Sequence, residues 1–345
     1  MVKTRIFLFI FMVLNLFSII TFAQKPSILL SNHTFSAGKS EIGSLNINPN
    51  QQARFKLKGE QAGLFTIKNN KLSIKAKYIR PEIKWYDVEI QARIPSGIIS
   101  QSFRIVNDQF IRNRVIAHRG AWKNTGATEN SISSLQHAIR LGCQGSEFDV
   151  HMSADSALLI HHDPGIQGMK IDASSSAQLR SLKLSNGENM PTLEAYLTEG
   201  LKQNNTKLIL EIKPTTGKQR ALELTQGVVK LIKEMKAQAW IDYISFDYNI
   251  CLEVIRLDPY ARVAYLNGDK TPAVLSADHF WGLDYHFNVF KKNEIWIDDA
   301  KSKGLAINAW TVNDPDMLKW FLDKRIDFIT TNEPELLLKM VKADN

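Results

Sequence analysis

From Arg114 onward the chain repeats one unit: a short apolar, strand-like run followed by a helix-like segment. The runs are Arg114-Val115-Ile116-Ala117, Ser146-Glu147-Phe148-Asp149-Val150-His151-Met152, Ala157-Leu158-Leu159-Ile160-His161-His162, Leu208-Ile209-Leu210-Glu211-Ile212-Lys213 and Tyr243-Ile244-Ser245-Phe246. They continue with Arg262-Val263-Ala264-Tyr265-Leu266, Gly282-Leu283-Asp284-Tyr285-His286, Gly304 to Trp310 and Asp327-Phe328-Ile329-Thr330-Thr331, nine in all. Only Ser153-Ala154-Asp155-Ser156 separates the second from the third. A parallel crossover needs a dozen or more residues, so the third run folds back as an antiparallel hairpin. Eight strands remain, the number that closes a (β/α)8 TIM barrel. The rival is an open doubly wound sheet. Polar residues favour the barrel, because they stand at the C-terminal ends of many strands: His118-Arg119, Glu147 to His151, Glu211 to Lys213, Trp310 to Asn313. A barrel brings all such ends to one mouth, an open sheet only those at its switch point.

The chain has 345 residues, room for a second domain. Residues 1–23 read as a secretory signal peptide: Lys3 and Arg5 precede an apolar run from Ile6 to Phe22, and cleavage is expected near Ala23. An uncleaved anchor is the alternative; after cleavage no stable membrane insertion is expected, and the address is periplasmic or secreted. Residues 25–108 alternate apolar and polar in short runs, as in Ala53-Arg54-Phe55-Lys56-Leu57, Leu64-Phe65-Thr66-Ile67, Lys71-Leu72-Ser73-Ile74 and Tyr86-Asp87-Val88-Glu89-Ile90. Turn residues separate them, which predicts a small all-β sandwich ahead of the barrel. With Phe103-Arg104-Ile105-Val106 the order resembles cadherin-like or immunoglobulin-like modules, without acidic calcium signatures. Such a module implies a spacer, or binding to a cell surface or another protein. A helix is expected from near Glu129-Asn130-Ser131 to Leu141, stopped by Gly142.

The net charge is +8, of which Lys3 and Arg5 belong to the leader. Basic residues are scattered rather than blocked, which suits small anions or anionic surfaces and gives no nucleic-acid signature. Cys143 and Cys251 read as small core residues, with a disulfide permitted but not required.

The second run carries the chemistry. Alternation puts Glu147, Asp149 and His151 on one strand face and Phe148, Val150 and Met152 on the other. Two carboxylates so close repel unless a cation lies between them, and hard oxygen ligands suit calcium or magnesium. A solvated polar face is the alternative. Glu211 and Lys213 are again two apart, so a third carboxylate and a cation join the mouth.

Taken together, His118-Arg119-Gly120, Glu129-Asn130-Ser131, Glu147-Phe148-Asp149-Val150-His151, His162-Asp163-Pro164, Pro191-Thr192-Leu193-Glu194, Glu211-Ile212-Lys213, Trp310-Thr311-Val312-Asn313 and Thr331-Asn332-Glu333-Pro334 resemble the glycerophosphodiester phosphodiesterases, over residues 112–341. The resemblance implies a (β/α) barrel that hydrolyses a small-molecule glycerophosphodiester to glycerol 3-phosphate and an alcohol. It implies one divalent metal ion, calcium or magnesium, on Glu147, Asp149 and Glu211, with His118 and His162 as the acid–base pair. Arg119 and Lys213 would meet the phosphoryl group, and the neighbouring glycerol hydroxyl would attack first to give a cyclic phosphate that water opens. Glu129 would orient Arg119 or only begin the helix, and Trp310 would wall the substrate pocket or pack in the core. Trp122 and Tyr285 are similar candidates, while His151 is either a site residue or a hydrogen-bonded barrel residue. His161 and His162 point oppositely, and the family pattern selects His162. Thr128, Asn332 and Ser156 stand where the family often has Pro, Asp and Gly. The rival functions are a related barrel phospholipase, of the lysophospholipase D or phosphatidylinositol phospholipase C type, and a non-catalytic surface-binding protein. The polar stretch 165–190, beside the expected mouth, favours a soluble substrate over a bilayer.

Overall fold

The computed structural model describes residues 25–343, so the leader read over residues 1–23 lies outside the described residues. Eight strands come first: β1 (Ser27–Leu30), β2 (Thr34–Phe35), β3 (Glu41–Asn48), β4 (Arg54–Lys58), β5 (Phe65–Lys68), β6 (Lys71–Ile74), β7 (Trp85–Ile94) and β8 (Gly97–Asn107). They form two four-stranded sheets, ordered β1-β3-β6-β5 and β2-β8-β7-β4. Strict alternation in β7 buries Tyr86, Val88, Ile90, Ala92 and Ile94. These meet Leu45, Leu72, Phe103 and Ile105 in a shared core. The sequence runs quoted above fall on β4 to β8. Strands β1 to β3 escaped them: β2 has two residues, and Gly43 interrupts β3 at a register shift.

The next strands are β9 (Val115–Ala117), β10 (Gly145–Met152), β11 (Leu158–Ile160), β12 (Gly165–Ile166) and β13 (Met169–Lys170). They are followed by β14 (Lys207–Ile212), β15 (Ile241–Ser245), β16 (Val263–Tyr265), β17 (Gly282–His286), β18 (Ala306–Trp310) and β19 (Phe328–Thr331). Parallel pairing runs β10-β14-β15-β16-β17-β18-β19-β9, and β9 pairs back onto β10, so eight strands close a TIM barrel. β11 is the expected hairpin, antiparallel to β10 with Val150 opposite Ile160. The helices are α1 (Ile132–Leu141), α2 (Ser176–Ser181), α3 (Leu193–Gly200), α4 (Lys218–Glu234), α5 (Tyr248–Leu257), α6 (Pro272–Ala277), α7 (Phe287–Lys292), α8 (Ile295–Ser302), α9 (Pro315–Asp323) and α10 (Pro334–Ala343). α1 has the expected stop: Gly142 takes a left-handed φ of 77°, and Ser131 caps the start by accepting from the Ser134 amide.

Outward strand residues pack under the helices, as where Phe148 stacks on Tyr196 of α3 with ring centroids 4.4 Å apart. Inward residues Ile116, Ile209, Ile244, Ala264 and Leu266 fill the barrel. The β sandwich rests on loops that lead into the strands, at the N-terminal end of the barrel. There Asn46 donates to the Tyr260 hydroxyl at 2.6 Å, Lys236 pairs with Asp87 at 2.9 Å, and Trp85 meets Trp240 edge-on. That arrangement leaves the C-terminal mouth uncovered by the sandwich. Residues 165–190 fold beside the mouth over a small core of their own, including Ile166, Ile171, Leu179 and Met190. Cys143 and Cys251 are both free and buried, so the permitted disulfide does not form. Among the described residues no helix is long and apolar enough to cross a membrane.

Candidate active site

The alternation of β10 does what its sequence implies. Glu147 and Asp149 turn into the barrel and are almost wholly buried, while Phe148 and Val150 turn into the helix layer. The register of β14 sets Glu211 directly beside Asp149. Carboxylate oxygens of Glu147, Asp149 and Glu211 all lie within 4.8 Å of one another. Burial, then the Asp149 and Glu211 charges, hold the Glu147 carboxyl well above its usual range. Burial and Asp149 likewise push Glu211 up, to about 8. Burial would raise Asp149 too, but Lys213, His162, Asn130 and Arg119 hold it down. Three buried hard-oxygen donors with mutual repulsion are the electrostatic profile that a calcium or magnesium ion relieves, so the residues present fit such an ion.

Cations surround the cluster. The Lys213 ammonium lies 2.9 Å from Glu211 Oε1 and 3.3 Å from Asp149 Oδ1. The Arg119 amide donates to Glu147 Oε2 at 2.8 Å, and its guanidinium bonds Glu129 Oε2 at 2.9 Å. Glu129 therefore orients Arg119 rather than merely beginning α1. The Arg119 Nε is buried without a hydrogen-bond partner and lies 3.8 Å from Asp149, so one strong donor is left over at the mouth. Arg119 adopts a left-handed φ of 56°, and Gly120 follows at 80°. A Cβ on Gly120 would stand 2.4 Å from the Ser134 hydroxyl and 2.7 Å from the Ser134 carbonyl carbon, so the turn admits only glycine.

His118 ends β9 with Nδ1 at 2.8 Å from Asn332 Oδ1. An amide oxygen only accepts, so Nδ1 holds the proton and Nε2 is the bare acceptor, 3.9 Å from Glu147 Oε2. Burial, reinforced by the Arg119 charge, lowers His118 to about 4 and keeps it neutral near pH 7. His162 is a third exposed and pairs Nδ1 with Asp163 Oδ1 at 2.7 Å. The amide of the preceding His161 donates to the Asp149 carbonyl at 3.1 Å, which brings this loop to the end of β10. His161 bonds the Gly165 carbonyl instead, and His151 Nε2 bonds the His162 carbonyl at 3.1 Å, which makes it a support for that loop.

Trp310 is half-buried at the end of β18, its Nε1 donating to the Asp284 carbonyl, its ring edge-on to Phe246 and His286. There it packs against the inner apolar cluster of the barrel. Tyr285 lies on the other side of the strand: it is wholly buried among outward-facing residues, and its hydroxyl donates to the Lys270 carbonyl. Alternation explains the difference, since Tyr285 shares a face with Leu283 and opposes Asp284 and His286. Trp122 is half-buried with an unpartnered indole N–H.

Two positioning residues were not singled out in the sequence. Asn130 donates to Asp149 Oδ2 at 2.8 Å and accepts from the Asp149 amide at 3.0 Å, fixing the carboxylate through a two-point clasp. Its left-handed φ of 60° aims the side chain there. Asn313 accepts from the Asn332 amide at 2.8 Å and so steadies the partner of His118. Behind them Glu188, from the 165–190 segment, accepts from the Ile132 amide and the Ser133 hydroxyl at the start of α1.

The sequence pattern of the "Glycerophosphoryl diester phosphodiesterase family" matches residues 118–336, the stretch that holds every residue of this site. A glycerophosphodiester phosphodiesterase of Caldanaerobacter subterraneus subsp. tengcongensis is 24% identical over 249 residues, covering 67% of this chain and 99% of that protein. The crystal structure of a glycerophosphodiester phosphodiesterase from Parabacteroides distasonis is 43% identical, with a TM-score of 0.66 over 67% of this chain and 97% of that one. An Oleispira antarctica phosphodiesterase, solved in complex with the product sn-glycerol-3-phosphate, shares the fold at 23% identity and a TM-score of 0.57, covering 66% of this chain and 96% of that one.

Proposed function

Because the chain belongs to the glycerophosphoryl diester phosphodiesterase family, we propose that its barrel mouth hydrolyses glycerophosphodiesters to glycerol 3-phosphate and an alcohol, using a divalent cation held by Glu147, Asp149 and Glu211. The observation that carries this reading is the buried, mutually repelling carboxylate triad, with Lys213 and Arg119 beside it. When bound, the cation, calcium or magnesium, neutralises charge on the phosphoryl oxygens.

The chain's own residues supply the rest. Arg119 offers its unpartnered Nε, and Lys213 a second positive charge, to the non-bridging oxygens. His118, neutral with Nε2 bare, takes the proton of the attacking hydroxyl. His162, with Nδ1 held by Asp163, returns a proton from Nε2 to the leaving alkoxide. If the neighbouring glycerol hydroxyl attacks first, a cyclic phosphate forms, and water opens it with the two histidines exchanging roles. Trp310, Phe246 and His286 form the apolar wall against which the glycerol unit lies. Exposed large hydrophobics among the described residues are Ile98, Leu141, Tyr260, Val274 and Ile295; none belongs to the 165–190 segment. That supports a soluble diester over a lipid still embedded in a bilayer. The leader at residues 1–23 supports placing this reaction in an exported compartment.

The test is glycerol 3-phosphate release from glycerophosphocholine, with calcium or magnesium, with chelator, and with His162→Ala. Release that requires both the metal and His162 is expected. Inertness towards glycerophosphocholine and a panel of other head groups would overturn the enzymatic reading; activity surviving chelator and His162→Ala would overturn the site.

A further inference from the structure

The charge of this chain is divided unevenly. Residues 25–108 contain 13 Lys and Arg against six Asp and Glu, a net +7, whereas residues 109–345 contain 28 against 29. The sandwich thus holds all of the excess positive charge beyond the leader. Three of its six acidic groups are already committed: Glu41 to Lys71, Asp87 to Arg104 and Lys236, and Asp108 to Arg112.

Three of these positive charges stand on edge strand β4. Alternation exposes Arg54, Lys56 and Lys58 on one face, and none of the three has an ion pair among the described residues. The β4–β7 register sets Arg93 directly opposite Arg54 and Gln91 opposite Lys56; only Lys58 faces a carboxylate, Glu89. Like charges directly opposite on antiparallel strands are destabilising by a few tenths of a kcal/mol to about 1 kcal/mol. A fold that keeps two guanidinium groups there, without a counter-charge, presents a ready anion site.

A groove of about 490 Å³ opens at this end of the sandwich, and both arginines line it. Asn50, Gln51, Gln52 and Asn70 contribute amides to the same groove, and no Asp or Glu does. Paired guanidinium groups match the geometry of phosphate oxygens. Side-chain amides carry both donors and acceptors, the complement of hydroxyl groups. The groove wall offers one aromatic ring, the half-buried Phe55, so it lacks the stacked platform that nucleobases require. Arg54 and Lys56 are two residues apart on a strand, hence about 7 Å apart, a spacing suited to a ligand with a repeating anionic group.

We infer that the Arg54–Arg93 groove and the adjoining Lys56 bind a polyol or sugar polymer linked by phosphodiesters, so that the sandwich holds such a chain while the barrel acts at its own mouth. The anion site stands on the sandwich alone; the choice of a phosphodiester over a carboxylated polymer rests on the reading of the barrel.

The test uses the full chain with chelator present, so that no turnover is needed, and follows binding of fluorescently labelled poly(glycerol phosphate) by anisotropy. Polygalacturonate and vesicles containing anionic phospholipid are run in parallel. Wild type is expected to prefer poly(glycerol phosphate). Arg54→Gln/Arg93→Gln should weaken it at least tenfold and flatten its salt dependence, while glycerophosphocholine hydrolysis stays unchanged and the melting temperature does not fall. Arg54→Lys/Arg93→Lys should retain part of the binding. If the double glutamine variant does not fold, Arg54→Gln alone should still show the shallower salt dependence. Binding within twofold of wild type in the folded glutamine variant, preference for polygalacturonate, binding to vesicles alone, or no binding by wild type would each overturn the inference. Because hydrolysis of glycerophosphocholine is measured separately, failure here is distinguishable from failure of the barrel reading.

Discussion

Strand β14 ends in two buried charge clusters that obey opposite rules. At its start, Lys207 lies 3.0 Å from Asp242, with a second cation, Arg262, 4.0 Å from the same carboxylate. Lys207 also donates to the Ala239 carbonyl at 2.8 Å. Near its end, Glu211 joins two other carboxylates, and Glu147 and Glu211 are both held well above the usual carboxylate range by burial and by each other's neighbours. The carboxylates of both clusters are buried, and both clusters meet the same strand. Burial of charge therefore does not mark a functional site; several buried carboxylates crowded on one point do. In the lower cluster one buried carboxylate is met by two cations, Lys207 and Arg262. The upper one crowds three carboxylates whose repulsion Lys213 and Arg119 offset only in part, since Glu147 and Glu211 stay well above the usual range.

That contrast can be broken most forcefully at the histidine. His162→Ala should lower kcat about 10²- to 10⁴-fold with little change in melting temperature, because its side chain is a third exposed; steady-state kinetics and a thermal melt check both parts. The reverse pattern is expected at the lower cluster. Asp242→Ala leaves Lys207 buried without its carboxylate, and removal of one partner of a buried pair costs about 3–5 kcal/mol. Denaturant unfolding should show that loss, while kcat per folded molecule holds. Between these lies Asn130→Ala, which removes both arms of the clasp on Asp149. Supporting residues of this kind are worth about 10- to 100-fold in metal affinity, to be read by titration with magnesium or calcium.

The smallest expected effect is on pH. An unfolded glutamate titrates near 4.5, whereas Glu211 in the metal-free fold is pushed up to about 8. Between those values the folded chain holds a proton that the unfolded chain has lost. This contribution to metal-free stability is fully present below about 4.5 and is lost as the pH rises through about 8. A cation must displace that proton, so metal affinity should rise with pH towards 8, and binding near pH 7 should release protons. Calorimetry in buffers of differing ionisation enthalpy measures the release.

Much of this contrast was legible in the sequence. Short apolar runs located the nine strands, the four-residue gap after Met152 forced the hairpin, and period-2 alternation put Glu147 and Asp149 on one strand face and Glu211 with Lys213 on another. What escaped depended on contacts distant in sequence or on unusual backbone. Asn332 meets His118 across 214 residues, and Asn130 reaches Asp149 only because its backbone is left-handed. Of the two readings open to Tyr285, pocket wall or core, its phase selects the core: Leu283, two residues earlier, shares its outward face. The lower ion pair was equally invisible, since Lys207 and Asp242 stand in different strands with no motif between them.

The measurement that bears most directly on the central claim is calorimetric titration of calcium and of magnesium into wild type, Glu211→Gln and Asp242→Asn. One ion per chain with proton release is expected for wild type and Asp242→Asn, and none for Glu211→Gln, which should melt no lower than metal-free wild type. Metal binding that persists in Glu211→Gln, or its absence from wild type, would contradict the account.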